Sequence, residues 1–179
     1  MAENSVLTGN VCYRQAAQTL VTVEQGYLVC LEGRSAGVYR ELPQEYAAFP
    51  LKDYGDRMIV PGLVDLHIHG SFGRDVLEPG GTAHLRRHLP SVGTTSFCPT
   101  NATDTFEHIH SFLAEVKQEM AGQSGTRILG AHIEGPFFAL DNRGAHAIPL
   151  LQDPTMENYQ KMVGEHEDII ARVSVAPEK

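Results

Sequence analysis

From Met58 onward, β-rich runs alternate with stretches of helical periodicity, and this alternation constrains the fold of the 179-residue chain more than any other feature. Residues 59–69 form an apolar run ending in two histidines, residues 82–89 are a short helix candidate, and residues 94–99 are a short β-rich run. Phe106, Ile109, Leu113, Val116 and Met120 then recur at spacings of three and four, one face of an amphipathic helix. Asp104 is placed to cap that helix, with Glu107 three residues on in capping-box position. Residues 127–134 are expected to be one strand, 155–165 a helix and 169–177 a strand again. The order β-α-β-α-β-α-β implies a parallel sheet with helices outside it. Four such strands make either a small open sheet or the first half of an eight-stranded barrel, a fold that typically takes ~250 residues. The chain stops directly after a strand, at Ala176-Pro177-Glu178-Lys179, which reads as truncation.

Before Met58 the pattern differs. Leu20-Val21-Thr22-Val23 and Gly26-Tyr27-Leu28-Val29-Cys30-Leu31 are β-rich runs broken by Gly26, Gly33 and Gly37, with no catalytic constellation among them. The expected organisation is therefore a small β-rich domain over residues 1–58 and four β/α units over residues 59–179.

Composition narrows the function classes. A net charge of −8 excludes the clustered basic surface that nucleic acid or a membrane would require, and only Arg86 and Arg87 sit together. No apolar run approaches the ~20 residues that cross a bilayer. The start MAENSVLTGN lacks the basic-then-apolar order of a secretory signal, so a cytoplasmic location is expected. Cys12, Cys30 and Cys98 are odd in number and lack C-x-x-C spacing, and read as reduced thiols. Nine histidines direct attention to metal sites.

The strongest chemical signal is Asp65-Leu66-His67-Ile68-His69-Gly70. On a strand, residues i and i+2 share a face, so His67 and His69 project together while Leu66 and Ile68 face the other way. Two imidazoles at the C-terminal end of a strand can ligate one divalent ion, and that is also the end where barrel active sites gather. Asp65 lies on the same face; it either supports a ligand by hydrogen bonding or pairs with another nearby donor. Glu134 ends the next-but-one strand, where a carboxylate is costly to bury without a cation or hydrogen bonds. It can bridge two metals or complete the coordination of one. His132 shares the face of Glu134 but lies deeper, and is read as core or as support for a ligand before it is read as a ligand. His146, in the loop Arg143-Gly144-Ala145-His146, could hydrogen-bond a polar ligand, but spacing alone favours a solvated loop histidine. His84 and His88, at i and i+4 on a helix, could chelate a metal, but beside Arg86 and Arg87 they read as surface residues, as do His108, His110 and His166; Cys98 reads as a small core residue.

Taken together, these segments resemble the amidohydrolase superfamily, and within it the N-acetylglucosamine-6-phosphate deacetylase family. The resemblance is carried by Val60-Pro61-Gly62-Leu63-Val64-Asp65-Leu66-His67-Ile68-His69-Gly70, by Gly93-Thr94-Thr95 with Pro99-Thr100, and by Gly130-Ala131-His132-Ile133-Glu134-Gly135-Pro136-Phe137. Arg143-Gly144-Ala145-His146 and Val175-Ala176-Pro177-Glu178 follow in order. It implies an α/β fold, the first half of a (β/α)8 TIM-type barrel preceded by a small β-rich sandwich domain. It implies hydrolysis of the acetamide of N-acetylglucosamine-6-phosphate to glucosamine-6-phosphate and acetate. It makes His67, His69 and Glu134 metal ligands and matches Ala145 and His146 to positions that contact the sugar. One or two divalent ions are implied, with zinc first and iron or manganese as alternatives, and a homodimer when full length. The family's catalytic aspartate, its remaining metal-binding histidines and most of its phosphate-holding residues fall beyond Lys179, so an inactive fragment is expected. The competing expectations are another amidohydrolase, a cyclic amidase or deaminase, and a non-catalytic half-barrel that binds or regulates.

Overall fold

The structure is a computed structural model that describes residues 4–17, 19–122 and 124–179. The chain divides into two compact units, Met1–Pro61 and Gly62–Lys179.

The first unit is built on one four-stranded sheet. Its strands are β1 (Ser5–Ala16), β2 (Thr19–Leu31), β3 (Arg34–Tyr39) and β4 (Leu51–Ile59), in the order β3-β2-β1-β4. β1 pairs antiparallel with β2 and parallel with β4, and β2 pairs antiparallel with β3. Val6, Val11, Val23 and Val29 are its buried apolar side chains, β-branched residues suited to a pleated surface. Ile59, expected to open the apolar run toward the histidines, instead closes β4.

The second unit holds β5 (Leu63–Ile68), a two-stranded ribbon of β6 (Gly70–Ser71) and β7 (Arg74–Asp75), α1 (Gly81–His88) and β8 (Thr94–Asn101). It continues through α2 (Phe106–Met120), β9 (Arg127–Ile128), β10 (Ala131–Glu134), α3 (Met156–Val163) and β11 (Ile170–Ser174). The order β5-β8-β10-β11 follows the chain without reversal, and all these neighbours are parallel. The core lies between this sheet and the helices: Phe97, Ile128 and Ile133 from the strands pack with Leu85, Ile109, Leu113, Val116 and Met162 from the helices. Ile133 points into that core, so by strand alternation its neighbours His132 and Glu134 point to the other face.

Several local expectations are corrected. The stretch 127–134 is two strands, not one. Both β9 and β10 pair with β8, and they part at Leu129-Gly130, where Gly130 takes φ 133° and lies close under the Ile169 carbonyl. The N-cap of α2 is Thr105, whose side chain accepts from the His108 N–H at 3.3 Å. Asp104 stands one residue earlier; its carboxylate accepts from the Thr105 N–H at 2.7 Å and meets the His108 ring at 3.1 Å. On α2 the buried set is Ile109, Phe112, Leu113 and Val116, while Met120 is exposed. α1 begins after Gly80 without a side-chain cap of its own; the Glu115 carboxylate of α2 accepts from the Gly80 and Ala83 N–H groups at 2.8 and 3.1 Å. A carboxylate there also complements the helix dipole.

Candidate metal centre

β5 carries His67, His69 follows directly after its last residue, Ile68, and the two rings meet. His67 Nε2 and His69 Nε2 lie 3.1 Å apart. Glu134, the last residue of β10, brings Oε2 to 2.9 Å from His69 Nε2 and 3.5 Å from His67 Nε2. The three donor atoms all fall within 4.8 Å of one another, the one such His, Cys, Asp or Glu cluster among the described residues. The side chains are 42%, 39% and 20% exposed, open enough to admit an ion and a ligand.

These spacings fit a divalent metal. Bonds of about 2.0–2.1 Å to nitrogen and oxygen put neighbouring donors roughly 2.9 Å apart at right angles and roughly 3.4 Å apart at the tetrahedral angle. The observed edges of 2.9, 3.1 and 3.5 Å cover that range. The donor set agrees: three atoms with lone pairs converge, and only a proton or a cation between them relieves their mutual repulsion. Two imidazoles and a carboxylate suit zinc, and iron or manganese as well.

Behind the cluster the supporting residues are placed as follows. The Asp65 carboxylate accepts from the His67 backbone N–H at 3.0 Å, so it bonds the strand backbone rather than the His67 ring. His132 is fully buried, with Nδ1 3.3 Å from Thr100 Oγ1 and Nε2 2.9 Å from Ser174 Oγ. Its ring stands edge-on to His67, centroids 4.9 Å apart at 74°. With both nitrogens engaged, it has no lone pair for a metal. Burial, reinforced by the Arg172 charge, pushes its pKa down to about 4, so it is neutral near pH 7.

His146 is not the solvated histidine that spacing describes. It is half-buried and packs against Phe138 at 4.4 Å between ring centroids. Its Nδ1 lies 2.6 Å from Thr103 Oγ1 and 3.3 Å from the Thr103 N. The backbone N–H can only donate, so Nδ1 is the acceptor and Nε2 carries the proton. His146 thus presents one N–H donor of fixed tautomer, and Ala145 beside it is exposed.

The remaining histidines divide. His108 is exposed, as expected. The His84 and His88 rings lie 4.4 Å apart, tilted by 43°, and are half-buried beside Phe72. His110 is also half-buried, with Nε2 2.8 Å from the Lys161 carbonyl near the end of α3, and so is His166. Cys98 is buried and its thiol pKa is raised by that burial, which suits a core residue. Thr100, Thr103 and Ser174 were not among the candidates the sequence pointed to. Thr100 lay inside a recognised segment, but the sequence carries no signal of which partner 32 residues away its hydroxyl meets.

Parallel strands that bring two imidazoles and a carboxylate together at their C-terminal ends define an α/β protein with a group of side chains that could hold a divalent ion. Known proteins narrow that class. The chain is 29% identical over 163 residues to the N-acetylglucosamine-6-phosphate deacetylase of Bacillus subtilis, covering 88% of this chain and 41% of that protein. It is 34% identical over 134 residues to the human protein of the same name, covering 71% and 33% respectively. The structure of N-acetyl-D-glucosamine-6-phosphate deacetylase from Mycobacterium smegmatis, in complex with N-acetyl-D-glucosamine-6-phosphate, superposes with a TM-score of 0.74 at 25% identity, over 99% of this chain and 45% of that one. A guanine deaminase from C. acetobutylicum shares the fold alone, with a TM-score of 0.55 at 14% identity. No protein-family model matches the chain. The chain is thus similar to N-acetylglucosamine-6-phosphate deacetylases at 29–34% identity, and it spans about a third to two fifths of the length of the curated relatives it matches.

Proposed function

We propose that this chain forms the metal-binding part of an enzyme that hydrolyses the acetamide of N-acetylglucosamine-6-phosphate, releasing glucosamine-6-phosphate and acetate. The observation that carries the reading is the convergence of His67, His69 and Glu134 at the ends of β5 and β10, in a chain whose relatives bear that name. The fold supports it: the strand order β5-β8-β10-β11 never reverses, as in the first half of a (β/α)8 barrel, whereas doubly wound sheets reverse at a switch point.

His67 Nε2, His69 Nε2 and Glu134 would hold a divalent ion, zinc in the first instance. When bound, the ion supplies Lewis acidity toward the acetamide carbonyl and toward water. The Glu134 charge would offset that of the cation. His146 donates from Nε2 to an oxygen of the sugar, with Thr103 holding its tautomer, and Ala145 lines the same loop. The group that moves the proton is an aspartate outside residues 1–179, so this polypeptide binds metal without turning substrate over. A cytoplasmic homodimer is the proposed setting of the longer enzyme.

The test is a chimera in which residues 1–179 replace the matching segment of the Bacillus subtilis relative. Turnover of N-acetylglucosamine-6-phosphate, abolished by Glu134→Gln in the chimera, is the expected result. A folded, zinc-loaded chimera that hydrolyses cyclic amides but not this sugar phosphate would overturn the reading.

A further inference from the structure

Thr100, in β8, is 0% exposed, and its hydroxyl is bonded to full capacity. It donates to the Cys98 carbonyl at 3.1 Å and accepts from the Ile68 N–H at 3.1 Å. With its one proton spent on a carbonyl, it can only accept from His132 Nδ1 at 3.3 Å. His132 is therefore the Nδ1–H tautomer, and its Nε2 accepts from the Ser174 hydroxyl at 2.9 Å. The result is a side-chain rail crossing all four parallel strands, from Ile68 on β5 through Thr100 and His132 to Ser174 on β11.

Its place makes it more than core satisfaction. Ile68 is the residue between His67 and His69, and the ladder between β5 and β8 slips register between Asp65 and Ile68. β5 is also an edge of its sheet, with β8 as its partner there. The ladder is thus irregular just where the two imidazoles leave the strand, and the Thr100 hydroxyl bonds the amide at that point. At its other end the rail holds His132, two residues from Glu134 on the same face and edge-on to His67. A metal site tolerates errors of only about ±0.2 Å in its bond lengths.

We propose that Thr100 is a positioning residue for this site: through Ile68 it fixes the strand end bearing His67 and His69, and through His132 it ties that end to the strand bearing Glu134. The inference rests on reading those three residues as metal ligands.

The experiment compares zinc affinity of the 1–179 chain, by competition with a chromophoric chelator, for wild type, Thr100→Val, Thr100→Ser and Ser174→Ala. Thr100→Val is expected to weaken zinc binding roughly 10- to 100-fold. Thr100→Ser restores near wild-type affinity, Ser174→Ala falls between, and the cobalt(II) visible spectrum of Thr100→Val changes shape. A Thr100→Val chain that keeps its circular dichroism and binds zinc like wild type overturns the inference and leaves the metal site standing. Should that variant not fold, unchanged zinc affinity in Ser174→Ala overturns it instead. Wild type that binds no zinc overturns both.

Discussion

At the scale of residues, the centre depends on three donors that are partly exposed and therefore contribute little to folding. Replacing His69 by Ala or Glu134 by Gln is expected to abolish tight zinc binding while shifting metal-free stability by less than about 1 kcal/mol. Chelator competition and urea unfolding in EDTA check the two halves of that statement. His132 behaves oppositely. Its folded pKa of about 4 lies below the ordinary value of 6.5, so the unfolded chain binds its proton first as pH falls. Its contribution is complete above pH 6.5 and is lost progressively as pH falls toward 4, by roughly 3 kcal/mol for such a shift. Urea midpoints of the metal-free chain between pH 7.5 and 4.5 should fall more steeply for wild type than for His132→Gln; parallel curves would refute the assignment. His67 and His69 were legible in the sequence because strand alternation fixes where i and i+2 point. The hydrogen bond between Thr103 and His146 was not, because it joins residues 43 apart across a loop.

At the scale of elements, apolar periodicity located α2 and its buried Ile109, Leu113 and Val116. It missed the cap by one residue, since Asp104 and Thr105 are both good caps and only backbone geometry chooses between them. The break at Leu129-Gly130 escaped notice because an apolar run does not show where its ladder shifts. Gly130 takes a positive φ, and a Cβ there would lie 2.7 Å from the Ile169 carbonyl oxygen. Gly130→Ala is therefore expected to destabilise the second unit by about 1–3 kcal/mol, read from urea unfolding. Zinc affinity of the fraction still folded should fall too, because the break sets the register that delivers Glu134. Wild-type stability in this variant would mean that the backbone there relaxes freely.

At the scale of the whole molecule, the alternation of strands and helices fixed the class, while the sheet's edges became visible only in the structure. Leu63, Val64 and Leu66 on the edge strand β5 are 62%, 56% and 51% exposed. Apolar edge strands pair with other chains, so the isolated polypeptide is expected to self-associate. The pair Val64→Thr and Leu66→Lys should shift its sedimentation toward monomer, and an unchanged distribution would place the contact elsewhere. The central claim is that two imidazoles and a carboxylate hold one divalent ion. The most direct measurement is zinc anomalous scattering from crystals of the zinc-loaded chain. The predicted peak lies about 2.0–2.2 Å from His67 Nε2, His69 Nε2 and a Glu134 oxygen. Zinc bound instead at the adjacent His84 and His88, or absent from the ends of β5 and β10, would contradict the account.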